Sequence, residues 1–152
     1  MEIPHGKFVA IYGCHGSPWR KGVMHALKQE GILSYDPTDY SGWANINDQN
    51  GDEEQAKIDK LVAKQHNALN RASCVIHYLF AHVNSKPKEC YAARAELAYL
   101  AGAGIKTFFH IAPDVVGRNY LWGVMRLYDH MQRCNSIDEA TEAAIAWMKK
   151  YA

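Results

Sequence analysis

Glu96 stands in the segment ARAELAYLAGAGIKTFF, residues 93–109, among alanine, leucine and tyrosine. Helical spacing puts Ala93, Leu97 and Leu100 on one side and the glutamate on the flank of that apolar stripe. A carboxylate there is costly unless it is paired or hydrogen-bonded. It is either a boundary glutamate that reaches water or a base such as Arg94, or a carboxylate kept there for a reaction. A second constellation, GCHGSPWRKG at residues 13–22, follows the first apolar run. Gly13 and Gly16 allow close backbone approach, Ser17 can cap the next helix, and Pro18 suits its first turn. Spare amides at a helix start attract anions, and Arg20 and Lys21 add charge. A phosphate or a ribose hydroxyl can dock there; an ordinary capped turn explains the same residues equally well. The pattern GxxxxGK[ST] is absent, which excludes a Walker loop. Gln65, three after Val62 and four before Leu69, carries an amide in the apolar stripe of its own helix. It either bonds backbone or reaches a pocket at the helix end.

The eight histidines (His5, His15, His25, His66, His77, His82, His110 and His130) form neither HxH nor HExxH. No carboxylate cluster accompanies them, so no metal and no other cofactor is expected. His15, His82 and His110 fall near strand ends, where one can line a pocket. Cys14, Cys74, Cys90 and Cys134 are widely spread, with no CxxC pair to suggest zinc or thioredoxin-type chemistry. Cys74 falls in a strand, as a small apolar residue would, and a reducing cytoplasm is the simplest setting.

The elements that must position these groups alternate. Strands are predicted at residues 8–13, 32–37, 74–80 and 105–111. Helices are predicted at 19–30, 53–72, 90–101, 119–131 and 136–151. Within 53–72, Ile58, Leu61, Val62, Leu69 and Ala72 share a face. Gly31 ends the first helix, and the SIDE sequence at 136–139 opens the last as a capping box. Residues 38–52 and 81–89 read as loops, the first long enough to be functional. This order predicts a three-layer α/β domain, flavodoxin-like or Rossmann-like, with a central parallel sheet of four to five strands flanked by helices. Ligands of such sheets sit outside the carboxyl ends of the strands, here the loops after residues 13, 37, 80 and 111.

The 152 residues suit one domain, residues 1–152, and 48% apolar with 22% charged residues is ordinary for a globular chain. A net charge of +1 offers no basic field for nucleic acid. No apolar run approaches a membrane span, and the opening MEIPHGKFVAIYG is too short and wrongly flanked for a secretory signal.

In order along the chain, IYGCHGSPWR, NALNRASCVIHYLF, ELAYLAGAGIK and RNYLWGVM resemble the segments of nucleoside 2-deoxyribosyltransferases and their nucleotide-hydrolysing relatives. The resemblance implies that Glu96 attacks the anomeric carbon of a nucleoside and expels the base, through a glycosyl-enzyme intermediate. It implies that Tyr12, Gly13, Cys14, Gly16, Ser17 and Arg20 belong to a nucleoside-binding segment. It further implies that Asn119 matches an asparagine lent to a neighbouring subunit, and hence a homodimer or larger homo-oligomer. Two positions depart from the family pattern. The aspartate that helps protonate the leaving base falls near Gln65, where no acid stands. The aspartate or serine six residues before the glutamate falls at Cys90, beside Glu89. Either Glu89 substitutes, or the 5′ end is read differently, with Ser17, Arg20 and Lys21 serving a 5′-phosphate as in the hydrolases. The leaving-group proton then falls to a histidine or water. The expected function is N-glycosidic bond chemistry, transfer or hydrolysis; the alternative is a nucleoside- or nucleotide-binding module of the same fold that has lost the acid.

Overall fold

The strands are short, apolar runs because both sheet faces are covered. In β1 (Val9–Gly13) and β6 (Thr107–Ile111) every residue is buried, and in β3 (Cys74–Leu79) all but Tyr78 are. The computed structural model describes residues 2–15, 17–39, 51–83, 86–87 and 90–152. Its main sheet contains β1, β3 and β6 together with β2 (Ser34–Tyr35) and β7 (Met131–Arg133), in the order β2-β1-β3-β6-β7. All pairings are parallel. A two-stranded antiparallel ribbon, β4 (His82–Val83) and β5 (Lys86–Pro87), occupies part of the stretch expected to be a plain loop.

Helices cover both faces, giving the expected three-layer α/β architecture. On one side, α1 (Trp19–Gln29) and α5 (Ile137–Tyr151) pack on Val9, Ile11, Ile76 and Phe108. On the other, α2 (Gly51–Arg71), α3 (Tyr91–Ala103) and α4 (Arg118–Met125) meet Ala10, Tyr12, Val75, Leu79 and Phe109. Alternation along each strand produces this division: neighbouring residues serve opposite cores. In α3 the predicted inward residues Ala93, Leu97 and Leu100 are all buried, each leucine stabilising the packing by about 2 kcal/mol. Gly104 ends α3 in the left-handed conformation. Among the described residues no helix is long and apolar enough to cross a membrane.

Several local expectations are corrected. Val62 is 38% exposed, outside the core face that Leu61 and Leu69 share. The helix expected at 119–131 stops at Met125, and the chain turns to add β7 as an edge strand. Ser17 does not cap α1; Pro18 occupies the N-cap without a side-chain bond. At α5 the Ser136 hydroxyl does accept the Glu139 N–H, 3.0 Å, but the Glu139 carboxylate accepts from Asn135 rather than Ser136, 2.9 Å. Most of the expected loop at 38–52 lies outside the described residues.

The chain leaves β1 toward β2 and leaves β3 toward β6, so the carboxyl ends of β1 and β3 flank the switch point. Gly13 ends β1 there at φ 131°, and a Cβ on it would lie 2.1 Å from the Tyr78 carbonyl oxygen. Only glycine lets the two strands stay paired this far. Gly13→Ala is expected to cost about 2–3 kcal/mol through strain and overlap, read as a lowered urea midpoint with an unchanged slope.

Candidate functional site

Parallel register sets Tyr12 of β1 beside His77 of β3. Both side chains face the layer formed by α2 and α3, since they share the parity of Ala10 and Val75. The sixth residue of α3 is Glu96, which turns inward and is only 7% exposed. Arg94, its expected surface partner, instead donates to the Val116 carbonyl at 3.1 Å. Gln65 reaches across from α2, and its Nε2 donates to Glu96 Oε2 at 2.9 Å. The Gln65 backbone oxygen accepts the Tyr12 hydroxyl, also at 2.9 Å. The Tyr99 hydroxyl donates to Asn70 Oδ1 at 2.7 Å and ties the same two helices together farther along.

The other carboxylate oxygen is held differently. Glu96 Oε1 lies 3.6 Å from His77 Nε2, too long for a hydrogen bond but within ion-pairing distance of an imidazole that carries a proton. His77 is 0% exposed, and neither ring nitrogen has a hydrogen-bond partner among the described residues; nor does Glu96 Oε1. Buried polar atoms are nearly always satisfied, so each exception calls for a reason, a catalytic role among them. One oxygen of the carboxylate is thus anchored while its twin keeps its lone pairs uncommitted beside an imidazole. Such a group can act as a nucleophile or exchange a proton. Burial, aided by the charges of Tyr35 and Glu96, pushes the Tyr12 phenol far up, so it remains a neutral donor.

Arg20, assigned above to a phosphate, faces inward. It is 6% exposed and donates to Ile11 O at 2.6 Å, Gly13 O at 2.7 Å and Asp36 Oδ1 at 3.0 Å. Both terminal nitrogens are engaged in fastening α1 to β1 and to Asp36 after β2, while the buried Nε has no hydrogen-bond partner among the described residues. Cys14 and Cys90, also expected to touch ligand, are bonded to each other as a disulfide. Ser17 is exposed and borders a cleft of about 510 Å³ between α1 and α5, lined also by Trp19, Val23, Ile137 and Ile145. That cleft opens on the sheet face opposite Glu96. Asn119 is exposed on α4. Gly16 and Glu89 lie outside the described residues.

Tyr12, Gln65 and Glu96 therefore meet, with Gly13 at the adjoining strand end. Sequence spacing does not single out His77; its only signal is its parity with Val75 and Leu79, which turns it toward α3. Of the histidines expected near strand ends, His110 is buried with its Nδ1 3.0 Å from Cys134 O, and burial holds its pKa below the usual value. His82 pairs with Asp114 at 2.6 Å. Among the described residues no group of three His, Cys, Asp or Glu side chains converges as a metal site would require. A scan against known protein families finds no match, and no curated protein matches the chain.

Proposed function

We propose that the chain breaks the N-glycosidic bond of a nucleoside or nucleotide, with Glu96 as the nucleophile at the anomeric carbon. The observation that carries this reading is the asymmetric carboxylate at the switch point. Its Oε2 is fixed by Gln65, while its Oε1 is hydrogen-bonded to nothing among the described residues. Attack by Oε1 forms the glycosyl ester as the carbon–nitrogen bond breaks and its electron pair leaves with the base. The base takes a proton from solvent or a donor of its own pocket. Water or a second base then attacks the same carbon, returning the carboxylate and retaining configuration. His77 is a positioning residue here, buried behind the carboxylate, where its ring packs 3.6 Å from Oε1 and limits where that oxygen can turn. Low hydration around the carboxylate raises its nucleophilicity.

A homo-oligomer belongs to the same reading. It is supported by apolar side chains around α4 that a lone chain leaves exposed: Val116, Tyr120 and Leu127, beside Asn119. A binding module is the second reading, and the amide of Gln65 standing where an acid would protonate the base favours it.

The test is incubation with a panel of nucleosides and monophosphates, including 2-fluoro-arabinosyl analogues, whose electron-poor sugars slow breakdown of the ester. Released base together with a sugar adduct on the peptide containing Glu96 supports the proposal. A ligand-induced rise in Tm without base or adduct selects the binding module. No binding and no base sinks both.

A further inference from the structure

Cys14 and Cys90 stand 76 positions apart, yet their sulfurs are bonded. The bond joins the turn after β1 to the N-cap of α3, where no side chain caps the helix. Both sulfurs also lie against one backbone oxygen. Phe80 O is 3.4 Å from Cys14 Sγ and 3.3 Å from Cys90 Sγ, and the Phe80 N–H approaches Cys14 Sγ at 3.4 Å. As thiols, each S–H has that oxygen as an acceptor; as a disulfide, neither needs one. The pair is accommodated in both oxidation states. Cys74 and Cys134 differ: both are free and buried, and burial pushes their thiols up to about 12 and about 11, which leaves them inert.

We infer that Cys14 and Cys90 form a redox modification site, cycled by low-molecular-weight thiols and disulfides, whose oxidised form fixes the amino end of the helix carrying Glu96. Cys90 is the more accessible residue of the pair, partly exposed where Cys14 is 2% exposed. A reductant thiolate attacks Cys90 Sγ, forms a mixed disulfide and expels Cys14 as a thiolate, which accepts the Phe80 N–H. A second thiol attacks the reductant's sulfur and releases Cys90. Two thiols become one small disulfide, and two electrons and two protons pass to the cysteines; reoxidation by a small disulfide runs the same steps backward. Reduction leaves the first turn of α3 without its staple, and Glu96, in the second turn, loses part of its fixed placement against Gln65 and His77.

The effect on catalysis rests on the proposed role of Glu96; the redox cycle and the loosening of α3 do not. The test compares the full chain after treatment with glutathione disulfide and after dithiothreitol. Peptide mass spectrometry is expected to find the Cys14–Cys90 link only in the first sample. Amide hydrogen exchange over residues 91–97 is expected to run about tenfold faster after reduction, with α5 unchanged. Cys14→Ser should take up glutathione at Cys90, whereas Cys90→Ser should leave Cys14 unmodified. Base release should fall about threefold on reduction, because a less fixed nucleophile reacts more slowly. An oxidised sample without the link, or equal exchange over 91–97 in both states, overturns the inference. If exchange responds but base release does not, the link to catalysis is refuted. If exchange responds and no nucleoside is processed in either state, the redox site stands and the glycosidic reading falls.

Discussion

Glu96→Gln is expected to lower base release by roughly a thousandfold or more while the protein stays folded. The substitution is nearly isosteric, and the new side-chain carbonyl can still accept the Gln65 Nε2–H that now reaches Oε2. What disappears is the negative charge. An amide oxygen does not form a stable ester with an anomeric carbon, and it does not stabilise positive charge developing on the sugar, so both terms of the barrier rise together. At about 1.4 kcal/mol per tenfold, a thousandfold loss corresponds to about 4 kcal/mol of transition-state stabilisation. Fold stability should move the other way or not at all. Glu96 Oε1 is buried, without a hydrogen bond and 3.6 Å from a buried imidazole, and removing a poorly solvated charge relieves a desolvation cost. Activity lost with an equal or higher Tm marks a residue placed for chemistry at the expense of stability. Activity kept within a few-fold would end the nucleophile assignment. A loss of both activity and Tm would identify Glu96 as a structural post.

The features that were legible in the sequence are those that a single element determines. The burial of Ala93, Leu97 and Leu100, the strands at β1, β3 and β6, and the end of α1 near Gly31 all follow from local periodicity and caps. The site depends on contacts between elements, which no spacing rule reports. Gln65 and Glu96 are 31 positions apart, and their bond exists because α2 and α3 cover the same sheet face. His77 reads as neutral in a strand; its importance comes from the α3 residue facing it. Cys14 and Cys90 share no short-range signature, since the turn after β1 and the start of α3 converge in space and not in sequence. β7 was hidden because only Met131 of its three residues is buried, so it lacks the apolar run of an inner strand. Helix periodicity through Tyr128 then carried the expected helix past its true end. Arg20 shows the opposite failure: a basic residue after a glycine loop suggests an anion, yet burial and three internal acceptors give it another task.

Arg20→Ala is expected to destabilise the fold by about 3–5 kcal/mol, roughly 10 °C in Tm for a chain of this size. The guanidinium holds the Ile11 and Gly13 carbonyls and the Asp36 carboxylate, and Asp36 is itself only 5% exposed. Truncation strands a buried anion whose remaining bond among the described residues is the Thr38 N–H at 2.9 Å, and leaves the Ile11 and Gly13 carbonyls without this donor. Burial draws the Arg20 pKa down, while Asp36 and Glu96 draw it up, so its charge is kept by its partners rather than by water. The loss should be shared with the site. Gly13 marks the carboxyl end of β1, and loosening it shifts Tyr12, whose hydroxyl braces the α2 backbone at Gln65. Arg20→Lys separates the two roles open to this residue. One ammonium cannot span two carbonyls and a carboxylate, so a structural Arg20 predicts that lysine recovers only part of the lost stability. A phosphate contact predicts near-normal Tm for both variants and weakened binding of monophosphates but not of nucleosides. Chemical denaturation of the two variants, followed by nucleoside and monophosphate titrations, reads these outcomes directly, and a Tm within 2 °C of the parent for Arg20→Ala, roughly the shift of a single kcal/mol, would overturn the buried-network account.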